Sequence, residues 1–432
     1  MKKNKFIMAT IILIIGGFIT KILSTIIKIV MTRLVDTEGI GLYMLVNPTF
    51  MLFIAICTLG LPTAISKLVS EDKRNNKKLV FSGVLISIII NIIIMSIILL
   101  SGRFIANNLL HEPRSYYSII AIGLVLPFIS ISGILRGYFF GKQKMIPHVI
   151  SNITEDITRL ISIIIFTPLF LMKGLEYAVS FLILSNIISE LTSIIILFFF
   201  LPKNFKLNKK DITPNLNNIK DILEISLPTT GSRLIGTIGV FFEPIILTFF
   251  LVKAGFSNQY ILTEYGVLNG YVMPLILLPS FFTGAISQAL LPIVSQGYSN
   301  KKYKYVKNKI KQALFFSLLI GIPATLIFVL IPDIPLKLIF NTNQGINYIK
   351  ILAPICLLHY IQAPLTSTLQ AIGKSNNAMI GTLIGMILRT ICLIVCCNIG
   401  LGLWSLVIAS SINIIYVTIH HIIDVRKYIY KV

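Results

Sequence analysis

Long apolar runs alternate with short polar turns from one end of this chain to the other. A membrane-crossing helix needs about 20 predominantly apolar residues, and about twelve stretches meet that length. They fall at 7–31, 40–66, 79–101, 115–137, 147–171, 175–201, 223–252, 265–292, 310–332, 346–371, 376–398 and 401–424. The pattern predicts an all-α polytopic membrane protein. The longest polar stretch, KNFKLNKKDITPNLNNIKD at 203–221, divides the helices six and six. The expected organisation is an N-terminal lobe at 1–202, a cytoplasmic linker at 203–222 and a C-terminal lobe at 223–432.

The halves carry a faint repeat. Ala64-Ile65-Ser66-Lys67-Leu68-Val69-Ser70-Glu71 closes the second run and Ala289-Leu290-Leu291-Pro292-Ile293-Val294-Ser295-Gln296 the eighth. Gly141-Lys142 follows the fourth run and Gly373-Lys374 the tenth. Two six-helix lobes related by an axis along the membrane normal would enclose a central cavity.

Composition agrees. The chain is 55% hydrophobic and 12% charged, with a mean hydropathy of +0.88, whereas soluble domains average about 25% charged residues. The net charge of +22 would suggest nucleic acid in a soluble protein, but here the basic residues gather in the loops on one side. With both termini in the cytoplasm, about 26 Lys and Arg fall inside and about 7 outside. Lys73, Arg74, Lys77, Lys78 and the cluster Lys301 to Lys311 belong to the inner group. The opening Met1-Lys2-Lys3-Asn4-Lys5 resembles a signal peptide, but its apolar run continues to about Val30 without a small-residue cleavage site, which predicts a retained first helix. Cys57, Cys356, Cys392, Cys396 and Cys397 all lie in apolar segments and lack metal-ligand spacing, so they read as buried thiols.

The informative residues are charges inside these runs. Lys21, Lys28, Arg159, Arg233 and Arg389 each lie within a predicted span, where a Lys or Arg at mid-helix costs about 2.5–3.5 kcal/mol on insertion scales. Such charges are expected to face a watery cavity or bind an anion. Lys21, Arg159, Arg233 and Arg389 lie roughly 15–22 Å from the predicted cytoplasmic ends at 1.5 Å rise per residue. Cations at that depth on four helices suit a phosphate, for which Arg offers a planar fork. Lys21 and Lys28 are seven apart and share a helix face.

Neutralisation by a neighbour is the alternative for each. Glu155 and Asp156 stand four and three residues before Arg159, the spacing of an intrahelical pair, and Arg233 has Glu190 or Glu243 as possible partners across helices. Lys28 is also near enough to the outer interface to snorkel. Glu155, Asp156, Glu190 and Glu243 are candidate coupling sites for H⁺ or Na⁺ and equally counter-ions.

His359 reads as a hydrogen-bonded packing histidine, His420 and His421 as headgroup neighbours, and Gly381 with Gly385 as a helix-packing step. Pro48, Pro62, Pro127, Pro228, Pro244, Pro274 and Pro354 interrupt helices, as kinks of a protein that rocks between states would. No Walker loop, HExxH or aspartate-rich diphosphate motif occurs. The expectation is a non-enzyme without cofactor, drawing on an ion gradient or the membrane potential.

GLYMLVNPTFMLFIAICTLGLPTAISKLVSE at 41–71 resembles the stage V sporulation protein B group of the multidrug/oligosaccharidyl-lipid/polysaccharide (MOP) exporter superfamily. So do LRGYFFG at 135–141, Ile225-Ser226-Leu227-Pro228, Ser232-Arg233-Leu234-Ile235 and YGVLNGYVMPLILLPSFFTGAISQALLPIVSQ at 265–296. The resemblance implies two six-helix lobes, alternating access and translocation of a lipid-linked glycan, relatives including lipid II and polysaccharide flippases. It also implies that basic residues of the first helix and cavity engage the substrate diphosphate. Lys21 and Lys28 hold the first-helix positions where arginine is commoner in the group. Relatives often carry fourteen helices against about twelve here.

The leading expectation is therefore a flippase for an undecaprenyl-diphosphate-linked oligosaccharide, with membrane lipids around it and envelope-synthesis enzymes as candidate partners. The rivals are a cation-coupled multidrug exporter of the same superfamily and a membrane scaffold for envelope synthesis.

Overall fold

The computed structural model describes residues 2–71, 75–202 and 216–430. Lys73 and Arg74 of the basic inner loop and residues 203–215 of the expected linker lie outside them. The described residues form helices and turns without strands. Two compact units emerge, Met1–Ile245 and Ile246–Val432.

The first unit contains α1 (Lys2–Leu34), α2 (Asp36–Thr58), α3 (Leu61–Glu71), α4 (Asn76–Phe104), α5 (Tyr116–Gly141), α6 (Met145–Leu171) and α7 (Leu175–Phe199). The boundary falls within α8 (Leu216–Lys253). The second holds α9 (Asn258–Gly266), α10 (Met273–Ile276), α11 (Ser280–Ser299), α12 (Tyr303–Leu330), α13 (Asp333–Phe340), α14 (Ile346–Ala371), α15 (Ser375–Asn398) and α16 (Trp404–Val425).

Among the described residues ten helical segments are long and apolar enough to cross a membrane, or eleven if the bent pair Asn258–Ile276 and Ser280–Ser299 counts as one. The sequence predicts twelve. The difference is α6, whose 27 residues are long enough but carry Glu155, Asp156 and Arg159. The protein is a multi-pass membrane protein with large apolar side chains exposed along its helices, Leu100, Phe199 and Phe315 among them.

Two predicted spans prove to be broken. The second splits between α2 and α3, where Leu59 and Gly60 take left-handed φ values of 42° and 58°, rare for a leucine. A Cβ on Gly60 would sit 2.4 Å from Thr229 Oγ1 of α8, so glycine permits that close approach. The eighth bends by 51° between Ile276 and Ser280. The bend ends α10 and would leave the Ile276 carbonyl without its helical donor. The buried Tyr360 hydroxyl donates to it at 2.5 Å.

Each unit is built around one central helix. In the first, α5 packs against α3, α4 and α7, and α6 packs against α7. In the second, α14 packs against α11, α12 and α16, and α15 against α16. The same packing order recurs in the two halves. Gly137 and Gly141 let α5 lie on the α3 backbone, since a Cβ there would sit 2.5 Å from the Pro62 carbonyl and 2.6 Å from that of Ser66. Gly381 and Gly385 make room on α15 for side chains of α16, where a Cβ would sit 2.4 Å from His420 Nδ1 and from Val417 Cγ2. His421 corrects an expectation. It is only 2% exposed and bridges Thr366 Oγ1 at 3.2 Å and the Ala378 carbonyl at 3.3 Å, because α16 turns it into the unit rather than toward headgroups.

Candidate functional site: an ion cluster beside two lysines

Helices α5, α6 and α7 bring a set of charges together in the first unit. The Arg136 guanidinium of α5 donates to the Glu155 carboxylate of α6, and through the same Nη2 to Glu190 Oε2 at 3.2 Å and Ser193 Oγ at 2.8 Å on α7. These side chains are 20%, 19% and 7% exposed for Arg136, Glu155 and Glu190. Asp156 makes no ion pair among the described residues, but it feels the charges of Glu155, Arg159 and Arg136. Arg159 acts electrostatically on Asp156 and Glu190, while its Nε is buried without a hydrogen-bond partner among the described residues. The intrahelical Glu155–Arg159 pair that the spacing suggests does not form, because Glu155 is drawn to Arg136.

Arg136 escapes the sequence reading. The predicted span ends at 137, which puts Arg136 at the membrane boundary. The helix runs on to Gly141, so Arg136 lies a turn deeper and faces two acids. The one signal was a lone arginine in LRGYFFG, between an apolar run and a glycine pair.

Helix α1 packs along α6. The closest approach is at Gly16, where a Cβ would sit 2.5 Å from Val149 Cγ1. The two helices run in the same direction, since Gly39, just beyond α1, meets Leu175, just beyond α6. Lys21 is five residues past Gly16 and Glu155 six past Val149, so both lie about 7–9 Å further along. Lys21 thus stands at the depth of the ion cluster. It is exposed and Lys28 is half-buried. Neither makes an ion pair among the described residues, and each feels the other's charge. Fully ionised, the two arginines and three carboxylates leave one net negative charge. Counting the two lysines turns it to one net positive.

The remaining candidates lie elsewhere. Arg233 is exposed on α8 and makes no ion pair among the described residues, and Glu243 is half-buried ten residues further on. Glu190, offered by the sequence as a partner for Arg233, is held by Arg136. Arg389 is half-buried at mid-helix on α15, in the second unit. Among the described residues no group of three or more His, Cys, Asp or Glu is placed to hold a metal ion.

Comparison with known proteins agrees with this architecture. The polysaccharide biosynthesis protein family matches residues 7–298 and the MatE family residues 234–395. Stage V sporulation protein B of Bacillus subtilis (strain 168) is 35% identical, over 99% of this chain and 85% of that protein. The lipid II flippase MurJ of the same organism is 24% identical, over 90% of this chain and 76% of its own. The fold is that of an inward-facing multidrug resistance MATE family transporter of the MOP superfamily, with a TM-score of 0.77 at 16% identity and 98% of both chains covered. Transport proteins and flippases are thus its relatives in sequence and in fold, and the chain belongs to the polysaccharide biosynthesis protein family, within its stage V sporulation protein B-like group.

Proposed function

We propose that the protein is a flippase that carries an undecaprenyl-diphosphate-linked oligosaccharide, a precursor of cell wall, spore envelope or polysaccharide, across the bacterial cytoplasmic membrane by alternating access. The observation that carries this reading is the pair Lys21 and Lys28. Two cations without ion-pair partners among the described residues stand on a helix packed against the ion cluster, where a diphosphate would take up their positive charge. The relative that is a lipid II flippase supports the same substrate class. Arg159, Arg233 and Arg389 are the further candidates for the diphosphate. Lysine holds it as a point charge and arginine by a fork.

Both termini lie in the cytoplasm in this reading, and the basic inner loops face anionic lipid and envelope-synthesis enzymes. Asp156, an acid without an ion pair among the described residues, is the first candidate for a coupling H⁺ or Na⁺, with Glu155, Glu190 and Glu243 after it. An inside-negative potential favours return of the positively charged empty site to the inward state.

Native mass spectrometry of the purified protein with undecaprenyl-diphosphate glycans tests the reading, beside Lys21→Ala and Arg389→Ala. Binding that falls about tenfold or more in the variants, the equivalent of 1.4 kcal/mol, is expected. Binding indifferent to both changes overturns it and favours drug export through the acidic cluster.

A further inference from the structure

The second unit has a pocket of its own. About 360 Å³ opens between α11 and α14, within the range of small-ligand clefts, about 300–1,000 Å³. Ser280, Thr283 and Ser287 line it from one side, and His359, Gln362 and Thr366 from the other. No lysine, arginine, aspartate or glutamate takes part. Hydroxyl, amide and imidazole groups gathered inside an apolar bundle are costly unless something bonds to them.

The hydrogen-bond directions can be assigned. Gln362 Nε2 lies 3.1 Å from the Ile414 carbonyl and 2.9 Å from Thr418 Oγ1. A carbonyl only accepts, so the amide nitrogen faces α16 and Oε1 faces His359. Oε1 is 2.9 Å from His359 Nδ1, so Nδ1 carries the hydrogen. In the neutral ring Nε2 is then a lone pair, and it has no partner among the described residues. Ser287 donates to the Thr283 carbonyl at 2.6 Å, and Thr283 to the Ser280 carbonyl at 3.2 Å. Both hydroxyl oxygens keep their lone pairs. Ser280 Oγ is buried without a partner among the described residues and can both donate and accept. At Gly284, also on the wall, a Cβ would meet nothing within 4 Å.

We propose that this pocket binds one sugar residue of a lipid-linked glycan, its hydroxyls donating to His359 Nε2, Thr283 Oγ1 and Ser287 Oγ and sharing the Ser280 hydroxyl. An anion would find no fixed positive charge there and a metal cation no carboxylate, whereas a neutral polyhydroxyl ligand matches every open group. The inference rests on the flippase reading and adds to it a site for the sugar, built wholly from residues of the second unit.

The test compares bare undecaprenyl diphosphate with lipid II in native mass spectrometry, for the full-length protein and two variants. Thr283→Val keeps the side-chain shape and removes the hydroxyl. Gly284→Leu fills the void from a position with free space and with gain of helix propensity. The unaltered protein should bind lipid II about tenfold more tightly than the bare lipid, and both variants should lose most of that preference, the expected scale for one or two hydrogen bonds. Bare-lipid binding should stay unchanged. If the unaltered protein binds both lipids without preference, or the variants keep the preference, the sugar pocket is refuted while the diphosphate reading stands. If the unaltered protein binds neither lipid, the flippase reading itself fails and the pocket assignment falls with it.

Discussion

Replacing Arg136 with methionine removes the one cation that holds two acids of neighbouring helices. At 3.2 Å from Glu190, an effective dielectric of about 20 gives a gross attraction of about 5 kcal/mol. Arg136 is only 20% exposed and Glu190 7%, so solvent screens the pair incompletely. Desolvation of the ions opposes this attraction, and the deletion leaves Glu155 and Glu190 behind without compensation. Removing one partner of such a buried pair costs about 3–5 kcal/mol, and Arg136→Met should destabilise the protein by that amount. Adding Glu155→Gln and Glu190→Gln should return most of the loss, because the uncompensated charges go too. Equilibrium unfolding in mixed micelles, driven by added SDS, measures both variants in one cycle with the parent. A loss below about 1 kcal/mol, the scale of an exposed pair, would refute the cluster as a structural ion network. So would a triple variant no more stable than Arg136→Met.

Other expectations follow from the packing and from the charge balance. Gly137→Ala puts a Cβ 2.5 Å from the Pro62 carbonyl; since backbone cannot swing aside, it should cost about 1–3 kcal/mol, and a melting temperature equal to the parent's would contradict the close approach. Tyr360→Phe strips the Ile276 carbonyl of its donor and should cost about 1–3 kcal/mol in the same unfolding assay, with no effect if water reaches that bend. Collapsing the membrane potential in vesicles should slow turnover and spare binding, at about 2.3 kcal/mol per charge and 100 mV; unchanged turnover rules out the potential-driven reset.

Helix positions were highly legible. The predicted 346–371 and 376–398 meet Ile346–Ala371 and Ser375–Asn398, because hydrocarbon thickness fixes the length of an apolar run. The bends were legible in part: Pro62 and Pro274, among the prolines that interrupt helices, stand beside the two breaks, whereas the left-handed φ of Leu59 itself has no local signal. The charges of α6 were visible, but their partner was not. The (i, i+4) spacing pointed Glu155 at Arg159, and tertiary packing gave it to Arg136 instead. The hydrogen bond expected of His359 is made to Gln362. The hydroxyls facing it from α11 belong to a helix 60 or more residues earlier in the chain, beyond any local pattern.

The ion cluster has a consequence for how this protein is made. A ribosome delivers α6 to the membrane with two acids and an arginine in its middle, and insertion scales charge about 2.5–3.5 kcal/mol for each such residue. Entering alone, the helix would carry a charge penalty of roughly 8–10 kcal/mol on that scale, offset in part by its isoleucines, leucines and phenylalanines. Its neutralising partners arrive on the spans synthesised just before and just after it, Arg136 on α5 and the counterpart acid Glu190 on α7, so the three helices gain by leaving the insertion machinery together. The contacts of the ion cluster thereby also favour joint integration of α5, α6 and α7.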